Sequence, residues 1–197
     1  MKEKLRCDWC LKDDLYMKYH DEEWGEPLHD DAGLFELLVL EGAQAGLSWH
    51  TVLIKRENYR KAFDNWNANK ISRYGENKIK QLLLNEGIIR NKLKIAAAIT
   101  NANAFLQIQK EFGSFDKYIW QFVDQKPIVN NWKTMKQIPA KTKESEIMSK
   151  DLLKKGFKFV GPTICYAFMQ ATGMVDDHVE DCWRSAKRHK GKKSGKS

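Results

Sequence analysis

The stretch LLKKGFKFVGPT (residues 152–163) reads as a helix, a tight turn and a second helix. Gly156 suits the end of the first helix, Gly161 leaves the backbone of the turn open, and Pro162 suits the first position of the second helix. Backbone N–H groups at a helix start suit a phosphate, and lysines surround this turn. An ordinary connection between two helices, with its lysines facing solvent, would show the same sequence pattern. The stretch therefore predicts a helical fold and fits contacts to a DNA backbone.

Helical periodicity extends over nearly the whole chain, and sustained strand alternation, internal repeats and long linkers are missing. In the first half of the chain we predict a helix over about 32–45 capped by Asp31, a helix that begins after the cap residue Ser48, and a helix over 76–85 that stops at a left-handed Gly87. In the second half we predict a helix from the cap residue Asn91 to Gly113 and a short helix over 115–122. Two more run from the cap residue Thr142 to Gly156 and from Pro162 to Gly173. The pattern predicts an all-α fold with one core assembled from many short helices.

Length and composition favour one globular domain. The chain has 197 residues, of which 42% are hydrophobic and 11% aromatic, so a sizeable core is expected and wholesale disorder is not. No apolar run approaches the roughly 20 residues of a membrane span. The charged residues 1–6 have no apolar stretch behind them, so we expect no secretory signal and a cytoplasmic location.

The net charge of +8 is unevenly distributed. Residues 1–41 hold 12 acids and 5 bases, residues 42–183 hold 14 acids and 22 bases, and residues 184–197 hold 7 bases and no acid. We therefore predict a single domain over 1–183 and a disordered basic tail over 184–197. The tail accounts for most of the total, so the excess of bases in the middle is the better indication of nucleic-acid binding.

Cysteine and histidine pairs lie near both ends of the chain. His178 and Cys182 are four residues apart, on one face of a helical turn, while Cys7 and His20 lie near the start. Two cysteines and two histidines would complete a tetrahedral zinc site that ties down both ends. Cys10 could replace Cys7 as a ligand or form a redox pair with it. The residues could also be unlinked.

Glu41 is unusual because it lies on an apolar helix face. Burial disfavours an ionised carboxylate unless donors or a cation are nearby. Glu41 could satisfy a helix end or an arginine, or it could face a ligand. The small residues over 42–46 permit close approach and lead to Trp49, and Tyr16 and Tyr19 could join an aromatic pocket. Each aromatic residue taken singly is more often part of a core.

Five stretches together resemble one family in order and length. They are YHDEEWG (19–25), LEGAQAGLSW (40–49), EGIIR (86–90), GFKFVGPTICY (156–166) and DHV (177–179). Over nearly its whole length the chain resembles the DNA-3-methyladenine glycosylase I (TAG) family of helix-hairpin-helix DNA glycosylases. The resemblance implies an all-α fold with a base pocket between two lobes. It also implies a monomeric, monofunctional repair enzyme. Such an enzyme flips 3-methyladenine out of alkylated double-stranded DNA, hydrolyses its N-glycosidic bond and releases the free base, leaving an abasic site.

The resemblance also implies roles for individual residues. One structural Zn²⁺ per chain would be held by Cys7, His20, His178 and Cys182. The base would be bound by Tyr16, Tyr19, Glu41 and Trp49, with Glu41 acting in catalysis. The DNA backbone would be held by the hairpin through Lys158, Val160, Gly161 and Thr163. Methylation makes the adenine cationic, so an anionic aromatic pocket would favour the damaged base.

Two positions can be compared with residues of the wider helix-hairpin-helix glycosylase superfamily. In Val175-Asp176-Asp177-His178, Asp176 resembles a catalytic aspartate that follows the hairpin. Asp176 is therefore either catalytic or merely a polar neighbour of His178. Bifunctional relatives carry a lysine at the start of the second hairpin helix, where this chain has Thr163, so strand cleavage through a Schiff base is not expected.

Two alternatives remain on the sequence alone. The first is a glycosylase that prefers another alkylated base. The second is a zinc-stabilised DNA-binding module without catalysis, against which the presence of both Glu41 and Trp49 argues.

Overall fold

Helices dominate the computed structural model, which describes residues 4–185. Within that range the α-helices are α1 (Asp14–Glu22), α2 (Asp31–Gln44), α3 (Trp49–Leu53), α4 (Arg56–Ala62), α5 (Ala68–Ile71), α6 (Glu76–Leu84), α7 (Lys92–Phe112), α8 (Phe115–Ile119), α9 (Lys143–Lys154) and α10 (Pro162–Ala171). Short 3-10 turns cover Asp8–Cys10, Asp64–Trp66, Trp120–Val123 and Met135–Gln137. The predicted all-α fold class is confirmed.

One small strand pair was not predicted. Strands β1 (Ile128–Val129) and β2 (Val175–Asp176) pair in parallel, with Ile128 opposite Val175. Strands of two residues are too short to show an alternating pattern, and their pairing depends on contacts distant in sequence. The pair fixes the segment before α9 against the segment after α10.

Local capping explains most helix boundaries. The Ser48 hydroxyl accepts the Thr51 N–H at 3.2 Å at the start of α3. Asn91 caps α7, and Gly113 ends it with φ +85°. Thr142 caps α9 through the N–H three residues on, as the sequence predicted. These boundaries follow from side chains next to the helix ends, so the sequence reveals them.

Three details of the predicted helices were wrong. Asp30, not Asp31, caps α2 through its side chain. Asp31 instead accepts the Phe115 N–H at 2.9 Å at the start of α8, a partner far away in sequence. Helix α6 ends at Leu84 without a left-handed Gly87, because the chain is already extended at the next residue. The predicted helix over 115–122 is α-helical only over Phe115–Ile119 and continues as the 3-10 turn Trp120–Val123.

Helix α2 lies at the centre of the core. All its residues from Leu34 to Ala43 are buried, and it packs against α3, α7, α8 and α10. A helix that is covered on every side can carry a charged residue only where a partner or a cavity receives it. The two acids within this span, Glu36 and Glu41, are therefore the positions where chemistry is expected.

The helix–turn–helix predicted at residues 152–163 is present. Helix α9 ends at Lys154, and Gly156 follows in the left-handed region with φ +94°. Gly161 precedes α10, whose first residue is Pro162. The turn thus has the form that its glycine and proline residues predict.

Both ends of the described chain pack onto the domain. The Trp183 N–H donates to the Leu5 carbonyl at 2.8 Å. Arg184 forms an ion pair with Glu26, and Ser185 is buried. Residues 184 and 185 of the predicted tail thus contact the domain, and residues 186–197 lie outside the described residues. Across residues 4–185, every helix is too short or too polar to cross a membrane.

Candidate active site

A pocket of about 210 Å³ lies beside the C-terminal half of α2. Its lining residues are Trp9, Tyr16, Tyr19, Trp24, Glu41, Gln44, Trp49, Met135, Ala167 and Gln170. Drug-sized ligands usually occupy roughly 300–1,000 Å³. The smaller volume and the flat aromatic walls suit a single planar ring system.

Aromatic side chains from four short segments form the pocket walls. Tyr16 and Tyr19 are three residues apart on α1 and share a face. The Tyr19 and Trp49 ring centroids lie 5.4 Å apart. The Trp9 ring packs edge-on against Tyr16 at 4.9 Å and against Trp24 at 5.1 Å. These contacts fix the orientation of the rings, so the protein's own packing shapes the pocket walls.

The two buried acids of α2 differ in their partners. Glu36 is bonded to Arg56 at 2.5 Å and to Arg60 at 3.0 Å, so its charge is compensated. Glu41 is 3% exposed and lines the pocket. With the Gln44 amide oriented to satisfy both its ends, its nitrogen donates to Glu41 Oε2 at 2.7 Å. No arginine or lysine pairs with Glu41 among the described contacts, which favours the ligand-facing interpretation.

Burial controls the protonation of the pocket. It raises the pKa of the Glu41 carboxyl to about 8. Burial, with a smaller contribution from Glu41, raises the pKa of Tyr16 to about 12 and that of Tyr19 well above its usual value. The buried Trp49 Nε1 has no acceptor among the described residues. The site therefore combines neutral hydroxyl donors with a carboxyl whose ionisation a cationic ligand would promote.

A second cavity of about 380 Å³ adjoins the pocket. It shares Glu41, Gln44 and Ala167 with the pocket and extends past Leu47 to Thr163 on α10. The pocket is thus continuous with the surface next to the helix–turn–helix. Glu41 therefore lines both cavities.

The four hairpin residues expected to bind DNA differ in exposure. Lys158 and Thr163 are exposed, and Gly161 lies at the start of α10. The Val160 side chain is buried, and its carbonyl accepts the Ser149 hydroxyl at 2.6 Å. Val160 can therefore offer only its backbone N–H to a ligand, whereas the other three residues have accessible surface.

Three of the four expected metal ligands meet in the structure. The ligand atoms of Cys7, His20 and Cys182 lie within 4.8 Å of one another, and all three residues are buried. His20 Nε2 lies 3.4 Å from Cys182 Sγ. The Cys7 side chain is hydrogen-bonded to Cys182 and lowers the pKa of that thiol. Buried thiols and an imidazole nitrogen in this arrangement suit a metal ion that prefers sulfur and nitrogen.

His178 lies next to this cluster. Its ring centroid is 4.9 Å from that of His20, and its buried Nε2 has no partner among the described residues. Its Nδ1 lies 2.8 Å from Asp176 Oδ1, just as His20 Nδ1 lies 2.8 Å from Asp21 Oδ1. A carboxylate on one ring nitrogen leaves the other nitrogen for a metal, an arrangement typical of zinc-bound histidines.

The structure bears on two of the open alternatives. The Cys10 thiol donates to the Cys7 carbonyl at 3.1 Å and lies outside the cluster, so a ligand exchange with Cys7 is not supported. Asp176 bonds both the ring and the backbone N–H of His178. It does not line the 210 Å³ pocket. These contacts favour the interpretation of Asp176 as the partner of His178.

Several pocket residues were missed by the sequence analysis. They are Trp9, Trp24, Gln44, Met135, Ala167 and Gln170. Gln44 lies within the family stretch that contains Glu41, and Trp9 lies between the two cysteines of the C-x-x-C pair. Both therefore lie beside residues that the sequence singles out. Met135 and Gln170 carry no local signal, because only the tertiary fold brings them to the pocket.

Comparisons with known proteins all match this chain to methyladenine glycosylases. A family model described as methyladenine glycosylase matches residues 9–185. The chain is 49% identical to DNA-3-methyladenine glycosylase 1 of Escherichia coli and 48% identical to DNA-3-methyladenine glycosylase of Haemophilus influenzae. Both matches cover 177 residues, 90% of this chain, and 95% and 96% of those proteins.

A solved structure matches the fold just described. It is that of 3-methyladenine DNA glycosylase I from Staphylococcus aureus, and it concerns the structural basis of 3-methyladenine recognition by that enzyme. The TM-score is 0.89 at 36% identity, and the match covers 91% of this chain and 96% of that one.

Proposed function

The chain belongs to the methyladenine glycosylase family, and on that basis we infer that it is a DNA-3-methyladenine glycosylase. It hydrolyses the N-glycosidic bond of 3-methyladenine in alkylated DNA and acts in base-excision repair. The observation that carries the assignment is the buried Glu41, which faces a pocket of aromatic rings and has no cationic partner among the described contacts. A flat cation with hydrogen-bond donors is the ligand that this combination suits.

Base flipping brings the damaged nucleotide into the pocket. Extrusion costs about a few kcal/mol in lost stacking and pairing. Stacking against Trp49 and Tyr19 offsets this cost, with cation–π attraction of about 0.5–2 kcal/mol. A cation beside the carboxyl lowers the pKa of Glu41, so that the bound state holds an ionised glutamate. Normal adenine lacks the charge and gains neither contribution, so the pocket favours the damaged base.

The chemical step requires little from the protein. A positively charged 3-methyladenine is already a good leaving group. Water adds to the sugar carbon, the C–N bond breaks with its electron pair going to the base, and the base departs neutral while a proton is released to solvent. Glu41 holds the cationic base in the pocket, and its negative charge favours the positive charge that develops on the sugar as the bond breaks. Thr163 stands where a Schiff-base lysine would be needed, which supports a monofunctional enzyme that leaves an abasic site.

A structural zinc ion is the second part of the proposal. Cys7, His20, His178 and Cys182 would hold one Zn²⁺ per chain. The gathered thiols and the unpartnered Nε2 of His178 support this donor set. The ion would stabilise the fold by joining the N-terminal segment to the C-terminal one. No step of base release requires it.

The hairpin and the remaining expectations complete the proposal. Exposed Lys158 and Thr163, together with the backbone at Gly161, would hold the DNA phosphates next to the pocket opening. The continuity of the two cavities from Glu41 to Thr163 supports this placement. The monomeric state and the cytoplasmic location inferred from the sequence stay predictions.

Base release from methylated duplex DNA tests the proposal. Purified protein is incubated with DNA treated with a simple methylating agent, and released bases are separated by chromatography. We expect 3-methyladenine in excess of 7-methylguanine. Release of another base as the main product would favour a different alkylated-base preference. DNA binding without any base release would favour the DNA-binding module and overturn the proposal.

A further inference from the structure

A buried asparagine of α7 holds the backbone of the hairpin. Asn101 is 3% exposed. Its Nδ2 donates to the Lys158 carbonyl at 3.0 Å, and the Lys158 N–H donates to its Oδ1 at 2.7 Å. One side chain thus satisfies both backbone polar groups of a residue in the predicted DNA-binding turn. A clamp of this kind fixes where that turn lies relative to α7.

The next residue of the turn needs such support. Phe159 has φ +54°, a conformation that bulky residues rarely adopt. Backbone strain of this kind persists only where the surroundings hold it. The Ser149 hydroxyl bonds the Val160 carbonyl from the other side, and a Cβ on Gly42 would lie 3.2 Å from the Phe159 Cβ. The turn is therefore clamped between α7, α9 and α2.

A second residue of α7 holds the turn at the pocket mouth. Lys94 Nζ donates to the Ala43 carbonyl at 2.8 Å and to the Ala45 carbonyl at 2.7 Å. A cation on the last carbonyls of α2 stabilises the helix end. The turn continues into Gly46 and Leu47, which line the outer cavity. Lys94 thus fixes the chain that connects Glu41 with the surface.

Lys94 and Asn101 are seven residues apart and share one face of a single helix. Ala97 and Ala98 lie between them, and all four residues line one narrow gap. The end of α2 (Gly42 and Ala43) and Phe159 of the hairpin line the same gap. We infer that α7 sets the spacing between the hairpin and the pocket mouth, with Asn101 and Lys94 as positioning residues. The inference rests on the proposed function, because spacing matters only if both turns bind one duplex.

The chemistry explains why this spacing would matter. The hairpin would hold a phosphate while the flipped base enters a rigid pocket. A displacement of about 1 Å far from the reacting atoms can cost on the order of a hundredfold in rate. The pocket side chains are held by their own ring contacts, so a change in spacing should weaken duplex binding and leave binding of the free base intact.

Three variants test the inference in the full-length protein: Asn101→Ala, Lys94→Met and the double variant. Two affinities are measured for each, one for a duplex whose damaged nucleotide carries a non-hydrolysable base analogue and one for free 3-methyladenine. We expect each single change to weaken duplex binding about tenfold and to leave the affinity for the free base near the wild-type value. The fold-loss of duplex affinity in the double variant should be smaller than the product of the two single fold-losses, because both changes disturb the same spacing.

Matched controls lie on the same helix. Asn103 donates its amide to the carbonyls of Ser72 and Ile99, away from both turns, and Lys92 is exposed. Asn103→Ala and Lys92→Met should leave duplex affinity within about twofold. Ser149→Ala tests the hairpin independently if Asn101→Ala does not fold.

Three results would overturn the inference: unchanged duplex binding in both single variants, a parallel loss of free-base binding, or strictly multiplicative losses. Failure of the proposed function is distinguishable, because the wild-type protein would then release no 3-methyladenine.

Discussion

His50 and Asp13 join two walls of the pocket. His50 Nε2 lies 2.5 Å from Asp13 Oδ2, while Asp13 Oδ1 accepts the Tyr16 N–H at 2.9 Å at the start of α1. His50 follows Trp49 in α3. One carboxylate therefore fixes the helix that carries Tyr16 against the helix that carries Trp49, and the distance between the two aromatic walls depends on it.

Replacing Asp13 with alanine should damage both the helix cap and the pocket. Loss of the cap costs about 1 kcal/mol of stability. Loss of the His50 contact should lower the affinity for free 3-methyladenine by roughly 3- to 10-fold. Asp13→Asn keeps a capping side chain and should retain most of the stability, yet bind the base less tightly. Thermal unfolding and base titration measure the two effects, with exposed Asp14→Ala as control. Equal base affinity in all three variants would contradict the role given to Asp13.

Replacing Glu41 with glutamine should separate base release from DNA binding. The change keeps the size of the side chain and removes the charge that opposes the cationic base. A charge-assisted hydrogen bond contributes about 1.5–3 kcal/mol, so base release should fall by roughly 10- to 100-fold. Affinity for a duplex with an abasic-site analogue should stay near that of the wild type. A matching loss of both would show that Glu41 acts on the fold rather than on the base.

The raised pKa of Glu41 predicts how stability changes with pH. Between its usual pKa of 4.5 and about 8, the unfolded chain has lost this proton while the folded chain keeps it. The free energy of unfolding therefore falls as pH rises through this window, by up to about 5 kcal/mol. Glu41→Gln lacks this penalty. Urea unfolding at pH 5 to 9 should show the variant gaining stability over the wild type up to about pH 8; a constant difference would contradict the buried carboxyl.

The cluster of Cys7, His20 and Cys182 predicts different outcomes for two cysteines. Cys182→Ser should remove zinc and lower the unfolding temperature, because metal binding contributes directly to folding. Cys10→Ser should keep about one zinc per chain, since its thiol bonds the Cys7 carbonyl instead. Metal content by atomic absorption, together with a chelator titration, distinguishes them. Zinc retained in Cys7→Ser but lost in Cys10→Ser would reverse the assignment of the ligand.

Asp176→Asn distinguishes the two interpretations of that residue. Asn keeps an acceptor for His178 but removes the charge, and changes of this kind typically cost 10- to 100-fold in metal affinity. As the partner of His178, Asp176 should affect zinc retention under chelation more than base release at saturating zinc. Normal zinc retention with lost base release would identify Asp176 as catalytic.

The sequence predicts features that depend on neighbouring residues. Ser48, Asn91 and Thr142 cap the helices expected of them because a cap and its partner lie within three residues. Glu41 stands out because a charge on an apolar face conflicts with burial, whatever the tertiary fold. The same reasoning placed a cap on Asp31. The actual partners of its carboxylate are the Gln109 side chain and the N–H groups of Phe115 and Asp116, and these pairings lie outside any local pattern.

The family resemblance predicts some of the residues that line the pocket but not all of them. Tyr16, Tyr19 and Trp49, which the resemblance singles out, all line the 210 Å³ pocket. Met135 and Gln170 reach the pocket from segments far away in sequence. The hydrogen bonds from Asn101 to Lys158 likewise join residues 57 positions apart, and an asparagine within a long helix gives no sign of such a partner.

The contact between His20 and Cys182 spans 162 residues, and this has a consequence for protein synthesis. At about 5–20 residues per second, a ribosome needs roughly 8–30 s after making His20 to make its partner. Until then α1, which carries two pocket tyrosines, has no C-terminal segment to dock against. A truncated product that stops short of Cys182 therefore lacks this anchor for its pocket wall.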